Sequence, residues 1–218
     1  MRRPATLERA FWNLHSRTWD DFLAEPAVVD HIDEVATLLA GSTPAGGVVV
    51  DLGCGTGNYA AALADRGLRV VALDFAGGML ARAASKARGR RVSLVRADLG
   101  HPLPLADSSV DGVLSVFAAQ FLDIDRFVAE VRRVLTASGA FLLEMPSQTT
   151  PRQPLPDMPA THRLFQHGKR MVVRGGVALR LARLHRDNEV GHALERHGFA
   201  VVDRRDHGRG YTFLARVP

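Results

Sequence analysis

Cysteine is almost absent from this 218-residue chain. Cys54 stands alone, so no internal disulfide can form, which fits a reducing compartment. No run approaches the ~20 consecutive apolar residues of a membrane-spanning helix. The opening MRRPATLERAFWN carries charges but lacks the apolar stretch of an export signal. The expectation is a cytoplasmic protein with no membrane partner. Lysine and isoleucine are scarce too: Lys86 and Lys169 are the only lysines among 28 basic residues, and isoleucine occurs only as Ile32 and Ile124. That depletion, with abundant Ala, Arg and Gly, marks a GC-rich coding bias, so the net charge of +5 is not in itself a sign of phosphate binding. The densest basic groups, Arg82 to Arg91 and Arg180 to Arg186, lack the interleaved aromatics that stack bases. A nucleic-acid partner is not expected. Metal-ligand spacing is missing as well: His185, His192 and His197 scatter around a helix, and no histidine pair stands four residues apart.

What remains is ordinary for a globular protein, with 46% hydrophobic and 23% charged residues. A chain of this size reads as one domain, residues 1–218, able to bury roughly 70% of its unfolded surface. From residue 48 to 145, short β-branched runs alternate with helical stretches. Val48–Asp51, Arg69–Asp74, Arg91–Arg96, Val110–Val116 and Ala140–Met145 read as strands buried on both faces. Thr56–Arg66, Gly77–Arg88 and Ile124–Thr136 read as the helices between them. The fold class is therefore α/β, doubly wound, with a parallel sheet under helices on both faces.

A helix over Ala27–Ala40 leads in, preceded by FWNLHSRTWDDFL with both tryptophans, so residues 1–40 form an amino-terminal helical segment. Pro146 to Pro159 holds five of the eleven prolines and reads as a loop. Arg170–Val173 and Val177–Leu181 flank two glycines and suggest a hairpin, making residues 146–186 an insertion on the substrate side. A helix at Asn188–His197 and antiparallel strands at Phe199–Arg205 and Tyr211–Val217 close the domain.

The informative segment is VVVDLGCGTGNYA, residues 48–60. A buried strand ends in Asp51, and Gly53, Gly55 and Gly57 follow before a helix. Glycines there let the chain turn sharply and let a ligand approach the backbone, while the helix start favours an anion. The dinucleotide pattern would require glycine at position 58, which is Asn58. Asp51 would also repel a pyrophosphate, so a zwitterionic or cationic ligand suits the loop better. The second strand ends in Asp74, placed to accept both ribose hydroxyls. Asp98 follows the third strand on the same edge and can accept an exocyclic amine. Three acids ending three successive strands are far more specific than any one alone.

These pieces, DLGCGTG, VVALDFAGGML, VRADLGHPLPLADSSVDGVLSV and FVAEVRRVLTASGAFLLE, resemble the class I S-adenosylmethionine-dependent methyltransferases. EVGHALERHGFAVVD resembles that family's closing helix and strand. The resemblance implies a Rossmann-like seven-stranded sheet of order 3-2-1-4-5-7-6 with the last strand antiparallel, and S-adenosylmethionine as cofactor. It implies that Asp51 and the loop from Gly53 through Gly55 to Gly57 hold the methionine part and that Asp74 takes the ribose. Phe75 and Met79 would pack on the adenine, Asp98 and the Leu99 amide would read its edge, and Ser115 to Phe117 would lie beside the methionine amino group. The expected activity is methyl transfer to a small-molecule acceptor; the alternatives are a tRNA or protein acceptor, or a scaffold that keeps the cofactor site without methylating.

Several of these residues have plainer readings. Phe75 and Met79 also suit a core, and Cys54 reads as a small side chain at a crowded turn rather than a nucleophile. Trp12 and Trp19 either staple the leading helix or close over the cofactor, where aromatic faces attract a sulfonium. Many relatives carry histidine soon after the fourth strand, whereas this chain has Gln120, which can position a substrate but cannot act as a base. The remaining base candidates are Glu144, His15 and His31. No NPPY-like segment of amino-group methyltransferases is present.

Overall fold

In the computed structural model, residues 5–146, 185–206 and 210–218 are described. The anticipated hairpin at 170–181, the proline-rich stretch beyond Pro146 and the turn at 207–209 lie outside them. Seven strands form one sheet: β1 Val48–Leu52, β2 Arg69–Asp74, β3 Val92–Arg96, β4 Val110–Val116, β5 Leu135–Pro146, β6 Ala200–Asp206 and β7 Gly210–Arg216. Their order is β3-β2-β1-β4-β5-β7-β6. The first five strands run parallel. β7 is antiparallel to both β5 and β6, so the last strand of the chain inserts between its two neighbours.

Among the described residues six α-helices accompany the strands: α1 Ala5–Leu23, α2 Pro26–Gly41, α3 Asn58–Asp65, α4 Gly77–Ala87, α5 Ile124–Val134 and α6 Asp187–Arg196. Alternation along each strand sends side chains to opposite faces. Val49, Leu114, Ala140 and Leu142 pack against Val35 and Leu39 of α2 and Ala60 and Leu63 of α3. Val50, Leu52, Phe141 and Leu143 pack on the other face against Phe127 and Val131 of α5 and Leu194 of α6. Each fully buried side chain of this size contributes roughly 1.5–3 kcal/mol. The two layers therefore hold the strand tips in fixed register.

Two helix boundaries depart from the periodicity for a local reason. α3 begins at Asn58 instead of Thr56, because Gly57 caps it at φ 83, a left-handed conformation no helix can pass through. α5 stops at Val134, two residues early, because Leu135 already pairs with Val110 of β4; regular pairing resumes at Gly112 and Ala140, after Ser138 turns at φ 65. The aromatic segment 11–23 lies within the 19-residue helix α1. Pro26 opens the next helix, where its missing N–H costs nothing.

Candidate functional site

The strand tips β3, β2, β1 and β4 converge on the glycine loop. Gly53 leaves β1 at φ 80, and a side chain there would place its Cβ 2.3 Å from the Cβ of Ala118, just after β4. Only glycine fits. The Gly53 and Cys54 amides both donate to the Leu73 carbonyl, at 2.8 and 2.9 Å, tying the loop to β2. The Gly55 amide donates to Oδ2 of Asp74 at 2.9 Å, and the Ala76 amide to its Oδ1 at 2.8 Å. Asp74 therefore organises the loop as well as pointing at it.

Asp51 is 2% exposed, and its Oδ2 has no hydrogen-bond partner among the described residues. Burial, with the charge of Asp74 added, pushes its carboxyl up to about 7, against a hydrogen bond from the Ala60 backbone. Burial raises Asp74 too, opposed by the backbone hydrogen bonds from Ala76, Gly55 and Phe75. Two buried acids on adjacent strands, both resisting ionisation, make a site that favours a cation. Ser115 at the end of β4 is fully buried, and its Oγ likewise has no partner among the described residues. The Cys54 thiol is driven far up by burial and then by the charges of Asp51 and Asp74, so it is no nucleophile.

The other expected residues stand around this centre. Met79 is buried and Phe75 half-buried at the start of α4, next to Asp74. Asp98 is half-buried; its Oδ1 accepts from the Gly100 amide at 2.9 Å, and its Oδ2 lies 3.5 Å from Nδ1 of exposed His101. Leu99 reaches within 3.9 Å of where a Gly53 Cβ would project. Phe117 adopts φ 52, a strained conformation for a bulky residue. It is held at both backbone groups: its amide donates to the Glu144 carbonyl at 3.0 Å, and its carbonyl accepts from Nε2 of Gln120 at 2.9 Å. Gln120 thus braces a turn. His15 is turned onto its own helix, with Nδ1 2.7 Å from the Phe11 carbonyl and its ring stacked 3.8 Å from that of Phe11.

Two arrangements were not legible beforehand. The first is the seat of α1. Asp20 accepts from Thr56 Oγ1 at 2.6 Å, from Asn58 Nδ2 at 3.2 Å and from Lys86 Nζ at 2.9 Å, clamping α1 across the glycine loop and α4. Burial raises the Asp20 carboxyl, but these hydrogen bonds and the Lys86 charge outweigh it and leave it lowered. Asn13 Oδ1 accepts from the Gly78 amide at 2.8 Å, capping α4 from another helix. Trp12 and Trp19 meet edge to face at 5.4 Å, and Trp19 Nε1 lies 3.7 Å from where a Gly55 Cβ would stand. The second arrangement joins two separate candidates: His31 Nε2 lies 2.8 Å from Oε2 of Glu144, across 113 residues of sequence. No sequence signal short of covariation could pair them.

Residues 50–143 match the family described as a methyltransferase domain. Those residues form a domain of the class I S-adenosylmethionine-dependent methyltransferase type. The chain is 37% identical over 160 residues to malonyl-[acyl-carrier protein] O-methyltransferase of Geobacter sulfurreducens, covering 71% of this chain and 56% of that one. It is 38% identical over 112 residues to demethylmenaquinone methyltransferase of Thermobifida fusca, covering 50% and 47%. The chain thus spans about half the length of the curated relatives it matches. Magnesium protoporphyrin IX methyltransferase from Synechocystis, solved with SAH bound, shares the fold at TM-score 0.70 and 17% identity, over 98% of this chain and 100% of that one. No described helix is long and apolar enough to cross a membrane, and no described cluster of His, Cys, Asp and Glu could hold a metal ion.

Proposed function

We propose that this methyltransferase moves the methyl group of S-adenosylmethionine to a small-molecule acceptor by in-line displacement at the carboxyl rim of the sheet, as a single cytoplasmic domain. The observation that carries the reading is the buried Asp51 Oδ2, which has no described partner, beside the glycine loop. A carboxylate held there calls for a cation, and the ammonium of a methionine moiety is one that brings its own carboxylate to the amino end of α3. When bound, the cofactor supplies an electrophilic methyl on a sulfonium.

The chain's residues supply the rest. Asp51 draws in the ammonium, with Ser115 and Phe117 beside it, and the Gly53–Gly57 turn gives the carboxylate close access to backbone. Asp74 accepts the ribose hydroxyls through lone pairs left over from its backbone amide partners. Phe75 and Met79 flank the adenine, and Asp98 with the Leu99 amide reads its edge. α1 closes the mouth with Trp12 and Trp19. Holding the cation tightly would stabilise the ground state more than the transition state. The residues therefore contribute chiefly by alignment, an effect worth up to ~7–11 kcal/mol. A relative named for demethylmenaquinone supports a small-molecule acceptor, whereas the one named for malonyl-[acyl-carrier protein] takes a group carried on a protein.

Calorimetry with SAH, NAD and ATP tests the binding half: SAH is taken up and the other two are not. Incubation with methyl-labelled cofactor and cell extract tests the transfer half, with label expected in low-mass material that survives RNase and protease. Uptake of NAD or ATP without SAH refutes the cofactor reading, and label lost to either nuclease or protease refutes the small acceptor.

A further inference from the structure

We propose that Asp20 and Lys86 are positioning residues that act through Thr56: they pin the tip of the glycine loop to α1 and α4, and cofactor exchange waits on their release. The inference rests on the methyl-transfer reading above and adds to it what sets the rate of exchange.

Helix geometry brings the pair together. Asn13, Ser16 and Asp20 recur at helical spacing on one face of α1. Asn13 Oδ1 accepts from the Gly78 amide near the start of α4, and Asp20 meets Lys86 near its end. The two contacts lie about two turns apart on both helices, roughly 11 Å of rise, so α1 runs alongside α4 in the same direction. Ser16 is buried between them, its Oγ 3.0 Å from where a Gly78 Cβ would stand. Ala83 lies one turn before Lys86 on the same face of α4, and a Gly57 Cβ would come within 2.9 Å of its Cβ. The loop therefore rests against the helix that bears Lys86.

The amides around Thr56 are tied to β2 or to the loop itself. Gly53 and Cys54 donate to the Leu73 carbonyl, Gly55 to Asp74, and Gly57 to the Cys54 carbonyl. Thr56, 1% exposed, is where the loop is held from outside the sheet. Its hydroxyl donates to Asp20 Oδ1 at 2.6 Å, and its carbonyl accepts from Lys86 Nζ at 3.0 Å. Lys86 Nζ also donates to both Asp20 oxygens, each at 2.9 Å, so its donors converge on one small region. A compact ammonium with three donors suits that task, and the planar fork of arginine does not. Only two of the chain's 28 basic residues are lysines, so lysine stands here against the prevailing bias.

An ion pair this open to solvent, with Lys86 25% and Asp20 34% exposed, is worth little alone. Joined with Thr56 and Asn58 it ties three elements together. α1 thereby spans both walls of the crevice: the glycine loop on one side, and on the other the start of α4 beside Asp74 and Phe75. Trp19 stands over Gly55 between them. Every member of the latch belongs to the chain, so it forms without a ligand. It opens for the cofactor to enter as well as for the thioether product to leave.

Both tryptophans of the chain lie on α1, so stopped-flow tryptophan fluorescence of the full chain with SAH reads this movement directly. Asp20→Asn and Lys86→Met are each expected to raise both the association and the dissociation rate of SAH, dissociation by roughly tenfold or more. Kd then rises by a smaller factor than the dissociation rate. The double variant exchanges no faster than the faster single one, because both changes break the same latch. Lys86→Arg keeps the charge and still exchanges several-fold faster than wild type. Faster dissociation with association unchanged or slowed overturns the proposal, since that marks a lost contact and not a gate. So do additive effects in the double variant, wild-type rates in Lys86→Arg, or SAH uptake by calorimetry with silent fluorescence. If wild type takes up no SAH by calorimetry, the methyl-transfer reading fails instead. If Asp20→Asn does not fold, Lys86→Met, which leaves the sequence of α1 intact, decides.

Discussion

Asp51→Asn tests the electrostatic core of the site without any acceptor. In the ligand-free protein the Asp51 carboxyl sits at about 7, against 3.8 for an exposed aspartate. The folded state therefore holds a proton that the unfolded state releases between those values, and stability falls as pH rises through that window. The decline is complete above pH ~7. From pH 5 to 8 about two pH units of it remain, or on the order of 3 kcal/mol. For a chain of this length that corresponds to a fall in Tm of roughly 5–10 °C from this residue. Asparagine has the shape of the protonated acid and never ionises, so the variant is expected to keep a flatter Tm profile and to melt above wild type at pH 8. Asp74 keeps its own smaller slope, because its carboxyl is also raised. SAH narrows the gap: at about 100 times Kd it stabilises wild type by roughly 2.7 kcal/mol, and the variant, lacking the charge for the ammonium, gains much less. Scanning calorimetry at both pH values, with and without SAH, reads all four states. A variant with the wild-type pH slope, or with undiminished SAH stabilisation, refutes the reasoning.

Other perturbations probe the remaining parts. Asp74→Ala removes one or two charge-assisted bonds of ~1.5–3 kcal/mol each and is expected to weaken SAH at least roughly tenfold by titration calorimetry. Gly53→Ala drives a methyl into Ala118 at 2.3 Å from a left-handed backbone, so stability and SAH binding should fall together, the former by roughly 1–3 kcal/mol in urea melts. Asp20→Ala releases the clamp on Thr56, Asn58 and Lys86 and is expected to speed amide exchange across α1 while β1 and β4 stay protected. Because the folded carboxyl of Asp20 is lowered, that clamp is present above pH ~4 and weakens as pH falls below it. Deleting residues 1–23 should raise the SAH Kd; unchanged affinity would show that α1 does not close the site.

Local chemistry determined much of this protein. The apolar runs from Val48 to Met145 read as parallel strands, and four of the five are largely buried, but β3 lies at the sheet edge with no residue fully buried; the glycines at 53, 55 and 57 make a left-handed turn ahead of a helix. Those signals live within a few residues of sequence, so the strand tips bearing Asp51, Asp74 and Asp98 were legible. Long-range geometry decided the rest. The insertion of β7 between β5 and β6 was implied by the family resemblance, although no local signal in the chain carries it. The end of α5 at Val134 depends on Leu135 finding Val110. Asp20 reaches Thr56 and Lys86, Asn13 caps a helix it does not belong to, and His31 meets Glu144 only because packed helices bring them within hydrogen-bond reach. Hydrogen bonds require contact at about 3 Å, and a linear sequence carries no distances between residues a hundred positions apart.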